Sequence, residues 1–306
     1  MPPAGAPDVP LAECVINISE GRDPGVIDHV AGAAGDRLLD VHSDPEHHRS
    51  VLTLGGVLPE VESAARAVAA AAVDTIDLRS HRGIHPRLGA VDVVPFVPLP
   101  GPTDGIADVT ADDIVASWDA VLAARDAFAR WMAASLGVPC FLYGPERTLP
   151  EVRRGAFTSL APDAGPPAPH PTAGACAVGA RDVLIAYNVW LRAAPGPDGP
   201  DDAGVVAVAK TLAATLRRPG LRTLGLAVDG GAQVSCNVVD PTGVGLVDVY
   251  DAVAEGAASH GCRVWKGELV GLLPGSALAA VPSRRWVDVG LRAEDTIEFH
   301  LDTRRG

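Results

Sequence analysis

The chain has 306 residues, of which 47% are hydrophobic and 21% charged, and a net charge of −13 at neutral pH. That length and apolar content support a folded protein of one large or two modest domains and argue against long disorder. The negative field excludes nucleic acid and anionic membranes as partners, and no apolar run is long enough to span a bilayer; an anionic ligand needs a local basic pocket.

Residues Met1 to Pro10 are Pro-rich, with neither a basic nor an apolar stretch, so no signal peptide is expected. Glu13 to Ile18 reads as a strand, Arg22 to Ala34 as a short helix, and Arg37 to His42 and Ser50 to Leu54 as two more strands. Pro59 to Val73, with a proline near its start, predicts a helix. Val91 to Val97 is strand-like. A long helix follows, capped by Thr110 and Asp113, whose apolar Ile114, Trp118, Val121, Leu122, Phe128 and Met132 keep helical spacing. Val138 to Tyr143 closes this half as a strand.

The stretch Ala161 to Gly174 is rich in Pro, Gly and Ala and is expected to separate the halves. Beyond it, Asp182 to Leu191 is β-rich and Ala203 to Leu216 is an amphipathic helix. Strands are expected over Arg222 to Val228 and Gln233 to Val239, then a helix over Val247 to Ser259 and a strand over Arg263 to Gly271. A short helix at Ser276 to Val281 and a last strand at Thr296 to Leu301 complete the chain. The order β-α-β-β-α-β thus occurs twice. It predicts an α/β (α+β) protein of two ferredoxin-like split βαβ subdomains, 1–180 and 181–306, with a ligand cleft between them.

The five cysteines, Cys14, Cys140, Cys176, Cys236 and Cys262, are far apart and lack CxxC spacing, the pattern of free thiols in a reducing cytosol. Five of the nine histidines lie between positions 42 and 85. In Arg79-Ser80-His81-Arg82-Gly83-Ile84-His85-Pro86-Arg87, two imidazoles and three guanidinium groups crowd together before a strand. Imidazole shuttles protons near neutrality and arginine forks bind carboxylates, so the pairing suits acid/base work on an anionic substrate. His81 and His85 also have H-x3-H spacing, but Gly83 and Pro86 oppose the continuous helix that zinc ligation at that spacing uses, and metal ranks below acid/base catalysis. The bland alternative is a solvated loop with incidental charge. In Asp40-Val41-His42-Ser43-Asp44-Pro45-Glu46-His47-His48-Arg49, an exposed hairpin accounts for Glu46 and His47. Asp40, His42 and Arg49 flank strand ends and are better site candidates. No GxGxxG, P-loop or GxSxG spacing occurs.

At these residues the chain resembles the formiminotransferase domain of glutamate formiminotransferases and of formiminotransferase–cyclodeaminases. The landmarks run in order: Glu13-Cys14-Val15, Ser19-Glu20-Gly21-Arg22, Leu39-Asp40-Val41, Arg49-Ser50-Val51 and His85-Pro86-Arg87-Leu88-Gly89-Ala90-Val91-Asp92-Val93. They continue through Arg147-Thr148-Leu149-Pro150, Gly165-Pro166, Gly174-Ala175, Ala232-Gln233-Val234-Ser235 and Glu268-Leu269-Val270-Gly271. They cover nearly the whole chain, so no cyclodeaminase domain is expected within it.

The resemblance implies a cytoplasmic homodimer that transfers a formimino group from N-formimino-L-glutamate to tetrahydrofolate in histidine degradation. Folate would lie in a tunnel between the subdomains, as a co-substrate, with no metal required. The catalytic histidine of the family maps onto His85. Its folate-binding stretch maps onto Gly165, Pro166, Pro167, Ala168, Pro169, His170, Pro171, Thr172, Ala173 and Gly174. Asp40, His42, Arg49, Arg82 and Arg87 are candidate substrate-binding residues. Ile84 stands where an acidic residue commonly precedes the histidine, His42 where some members have Asp, and Ala173 where an aromatic is common. A folate-dependent one-carbon transferase with another donor therefore stays open, as do a metal-dependent hydrolase and a non-catalytic folate binder.

Overall fold

Every second residue of the first strand, β1 (Leu11–Ile18), points into one core: Ala12, Cys14, Ile16 and Ile18 are fully buried. The computed structural model describes residues 10–83, 87–99, 111–196 and 199–303, with the side chains of 111–116 outside the description. Thr110 and the proposed cap of the long helix therefore lie outside the described residues. Two compact units divide the chain, Met1–Asp182 and Val183–Gly306.

In the first unit, β1 is followed by α1 (Pro24–Gly32), β2 (Leu38–Asp44), β3 (Arg49–Val57), α2 (Leu58–Thr75) and β4 (Val91–Leu99). Then come α3 (Ala111–Leu136), β5 (Cys140–Tyr143), α4 (Leu149–Gly155) and β6 (Cys176–Ala180). Helix α1 starts where sequence chemistry asks it to. Asp23 caps it by accepting from the Gly25 and Val26 amides at 2.9 and 3.2 Å, and Pro24 fills the first turn. Helix α2 buries Val61, Ala64, Ala65, Val68, Ala69 and Ala72, a stripe at three- and four-residue spacing. Val121, Ala124, Phe128, Ala129 and Met132 form the matching stripe on α3. Both stripes close over one face of the sheet, where Phe128 meets Phe96 edge-on at 5.9 Å.

The sheet order is β2-β3-β1-β4-β6-β5. Strand β1 runs antiparallel to β3 and β4, giving the split βαβ core, and β6 lies parallel to both β4 and β5. This corrects one expectation. The stretch 161–174 does not lead out of the first half; it carries the chain back into the first sheet as β6. That strand is Cys-Ala-Val-Gly-Ala, small residues buried on both faces, and so shows no alternation to read. A second small core, with Val93, Phe141, Tyr143, Ala177 and Val152 of α4, covers the opposite face there.

The second unit comprises β7 (Ile185–Ala193), α5 (Asp202–Leu216), β8 (Leu221–Val228), β9 (Gly231–Val238), α6 (Leu246–Ala258), β10 (Cys262–Val270) and short helices α7 (Gly275–Ala279), α8 (Trp286–Val289) and α9 (Ile297–Thr303). Its sheet order, β10-β7-β9-β8, is the ferredoxin-like arrangement. Alternate residues Ile185, Tyr187, Val189 and Leu191 of β7 pack beneath α5 and α6. The strand expected over Thr296 to Leu301 is instead helix α9. Ile297, Phe299 and Leu301 alternate like a strand, but Phe299 is half exposed while Ile297 is buried. Only Thr296 makes a β-bridge, to Leu273. Among the described residues no helix is long and apolar enough to cross a membrane.

Candidate active site

Three segments of the first unit converge: the turn after β1 (19–23), the turn between β2 and β3 (44–49), and the stretch 77–83 after α2. The middle turn is closed by Asp44, which accepts from the Glu46 and His47 amides at 2.8 and 2.9 Å. His48 then takes a left-handed conformation, φ 51°. Its Nε2 lies 3.0 Å from Glu20 Oε1 and its Nδ1 2.9 Å from the Arg82 carbonyl. The His48 ring stacks on that of His81, with centroids 3.9 Å apart and planes 11° from parallel. His81 Nε2 reaches back to the His48 carbonyl at 3.0 Å. A Cβ at Gly83 would stand 2.7 Å from the His47 carbonyl oxygen and 2.8 Å from His48 Cβ, so the stretch can nest here only with glycine. The solvated-loop alternative fails for His81, which is 5% exposed, while Arg79, Ser80 and Arg82 around it are exposed.

Because a carbonyl is its partner, His81 Nε2 carries the proton, and Nδ1 is a buried acceptor with no hydrogen-bond partner among the described residues. Burial first, and the nearby Arg87 and His48 charges next, depress the His81 pKa against its bond to His48 and the pull of Glu20. Burial alone would raise the Glu20 pKa, but the amides of Arg22 and Asp23 and the His48 ring together hold it low. Both folded values thus lie below the unfolded ones. Each group contributes stability that is present above its unfolded pKa and lost as pH falls through its folded one. We expect the urea midpoint to decline from about pH 6.5 downward through the carboxylate range, with Glu20→Gln removing the lower part of the decline. A midpoint that rises on acidification contradicts this.

Arginines surround the exit of the loop. Arg82 Nη1 donates to the His81 carbonyl at 2.8 Å, and the Arg87 guanidinium approaches the His81 and Gly83 carbonyls at 3.3 and 3.5 Å. Asp92, fully buried in β4, accepts from the Leu88 amide at 2.6 Å and takes a two-pronged contact from Arg153 of α4 at 2.6 and 3.3 Å. Burial lowers the Arg87 pKa, with Asp92 opposing and Arg82 reinforcing. Burial likewise lowers that of Arg49, with Asp92 and Asp44 opposing and Arg153 reinforcing. Since guanidinium stays charged in proteins, these shifts mean that the charge is costly to bury, a cost that an incoming carboxylate offsets.

Of the candidates, Arg49, Arg82 and Arg87 are therefore brought together. Asp40 and His42 lie half-buried within β2, opposite Thr53 and Val51 and, by strand alternation, in line with Asp44. His85, with Ile84 and Pro86, lies outside the described residues. Both flanks of that segment are pinned, Arg82–Gly83 against the 44–49 turn and Leu88 by Asp92.

The stretch 165–174 is stitched onto the same region. The Leu78 amide donates to the Thr172 carbonyl, Ala90 to Ala173 and Ala175 to Leu88, all at 2.9–3.0 Å. His170 Nδ1 accepts from the Ala173 amide at 3.1 Å, and the His170 and Gly174 backbones exchange two bonds. Gly165 to Pro169 and Pro171 are exposed, whereas Ala173 is buried in the core beneath α2 and α3. Gly174 has φ +70°, and a Cβ there would stand 2.4 Å from the Leu88 carbonyl oxygen. Gly174→Ala should cost about 1–3 kcal/mol from the strained backbone alone, with more from the clash, read as a lower urea midpoint. A shift of less than about 0.5 kcal/mol, the scale of an ordinary surface substitution, contradicts the geometry.

Glu20, His48, Asp92 and Arg153 were not among the candidates. Asp92 had a readable signal, because a carboxylate inside an apolar strand must have a partner. His48 had none, since its partners lie 28 and 34 residues away. On the second unit, Glu268 accepts from Trp190 Nε1 at 2.8 Å, Asn188 at 3.3 Å and Lys266 at 2.8 Å. On β9, in register with Trp190 and Lys266, the buried Gln233 amide finds no partner among the described residues. Among those residues no group of three His, Cys, Asp or Glu side chains converges as metal ligands.

Comparison with known proteins follows the same landmarks. The sequence profile of the formiminotransferase domain, N-terminal subdomain, matches residues 11–181. The glutamate formimidoyltransferase of Streptococcus pyogenes serotype M1 is 34% identical over 297 residues, covering 89% of this chain and 91% of that one. That of Thermoplasma acidophilum is 33% identical over 299 residues, covering 89% and 90%. The formimidoyltransferase-cyclodeaminase of Sus scrofa is 34% identical over 300 residues, covering 88% of this chain but 51% of that protein.

Proposed function

The chain belongs to the formiminotransferase family, and from that premise we infer that it is a glutamate formimidoyltransferase, moving the formimino group of N-formimino-L-glutamate to tetrahydrofolate in histidine degradation. The observation that carries the reading is the similarity to glutamate formimidoyltransferases over about nine-tenths of both chains.

In this reading N5 of tetrahydrofolate attacks the formimino carbon and gives a tetrahedral intermediate. His85 passes a proton from the folate nitrogen to the departing glutamate amine, a task suited to a base poised near neutral pH. Arg49, Arg82 and Arg87 meet carboxylates of the donor or of the folate tail. The partly buried guanidinium groups of Arg49 and Arg87 near Asp92 support that role, and they supply locally the positive charge that the net charge of −13 lacks. Gly165 to Gly174 form the folate-binding stretch; the exposure of 165–169 leaves backbone and proline rings accessible to a flat ligand. Asp40 and His42 contact the donor from β2. The protein acts as a cytoplasmic homodimer, a setting with which five free, buried cysteines agree.

The departures at Ile84, His42 and Ala173 favour testing the donor directly. Initial rates for a panel of formimino and formyl donors, at constant tetrahydrofolate, should place formiminoglutamate first. A faster rate with another donor would replace it.

A further inference from the structure

The mechanism above leaves His48 unused, yet three independent features meet at this residue. Its backbone sits in the left-handed region, its ring stacks on His81, and both of its ring nitrogens face acceptors from separate segments. Neither acceptor carries a hydrogen near neutral pH. One is the backbone carbonyl of Arg82. The other is the Glu20 carboxylate, already fixed by the Gly21, Arg22 and Asp23 amides at 2.8, 2.7 and 3.0 Å. The ring therefore bridges two segments far apart in the sequence, one nitrogen against each.

We propose that His48 is a positioning residue that buckles the stretch 79–83, which leads into His85, to the turn after β1. The charges around it fit. Glu20 faces it from the β1–α1 turn, and neutral His81 lies flat against it, with its own N–H committed to the His48 carbonyl. His47, Asp44 and Arg49 flank it on its own turn. Arg82 offers its carbonyl while its guanidinium turns to the His81 carbonyl, and Arg87 adds positive charge beside His81. The His48 and Glu20 side chains are 12% and 15% exposed, so water replaces a lost bond poorly. When the ring is removed, both ties go and the stretch 79–83 loosens.

The kinetic arm rests on the transferase reading; the exchange arm does not. Transfer kcat and folate KM are measured on the full chain, on His48→Asn and on Glu20→Gln. Asparagine tolerates the left-handed backbone but is too short to reach both acceptors. His48→Asn should be about tenfold slower, with folate KM within about twofold. Glu20→Gln, which weakens one of the two ties, should be slower by a smaller factor, and it decides the question if His48→Asn does not fold. Unchanged kcat in the foldable variants, or a KM that rises in parallel with the loss of rate, overturns the proposal. Separately, the amides of residues 79–83 should lose about tenfold exchange protection in the variants relative to the unsubstituted chain. Equal protection overturns the proposal, whatever the activity. Loss of protection in a chain that shows no transfer would instead refute the transferase reading and leave the buckle standing.

Discussion

His85→Ala is expected to lower kcat for formimino transfer by about 10²–10⁴-fold, the range that positioned general acid–base groups contribute, while folate affinity changes by less than about twofold. The two effects separate because proton transfer is required only as the tetrahedral intermediate forms and collapses, whereas the folate contacts we propose lie in the 165–174 stretch and the arginines. The stretch before position 85 is anchored by the Gly83 nest and the residue after Arg87 by Asp92, so the substitution removes an imidazole without freeing the loop's ends. Equilibrium folate binding, followed by fluorescence, and single-turnover transfer on the same preparation measure both halves. A parallel collapse of affinity and rate would show that His85 holds the ligand and does not move the proton.

Asp92→Ala is expected to destabilise the protein by about 3–5 kcal/mol, as removal of one partner from a buried ion pair does. Asp92 is 1% exposed, and the substitution takes away the two-pronged partner of Arg153 and the acceptor of the Leu88 amide. It also removes the counter-charge that offsets burial at Arg49 and Arg87. Three cationic groups then repel across one site. Asp92→Asn keeps an oxygen for Leu88 and should lose less. Urea unfolding of both variants gives the values; equal stability to the unsubstituted protein would mean that the pair is exchanged for water at little cost. Where enough folded Asp92→Asn survives, its KM for an anionic donor should change together with its stability, since the arginines beside Asp92 are the ones proposed to meet the donor.

The repeated β-α-β-β-α-β order was readable because its strands and helices are long and strongly periodic, as in β1 with its alternating Ala12, Cys14, Ile16 and Ile18. Where that periodicity failed, so did the reading. Strand β6 is made of small residues buried on both faces, and α9 mimics strand alternation through Ile297, Phe299 and Leu301. The basic loop was readable from its density of His and Arg, and Arg49 and Arg87 lie near Asp92. What no local pattern carries is the pairing of distant segments. Glu20, His48 and Arg82 become one unit only when the turns after β1 and β2 meet the end of α2. The glycines that allow those approaches, Gly83 and Gly174, look in the sequence like any loop residues.

The transfer itself is tested most directly with N-formimino-L-glutamate labelled with ¹³C at the formimino carbon, incubated with the purified full chain and tetrahydrofolate and followed by NMR. The account predicts that the label moves to N5 of tetrahydrofolate with one glutamate released per label, and that nothing happens without folate. Release of labelled formamide or formate in the absence of folate, or retention of the label on glutamate at high enzyme concentration, would contradict it.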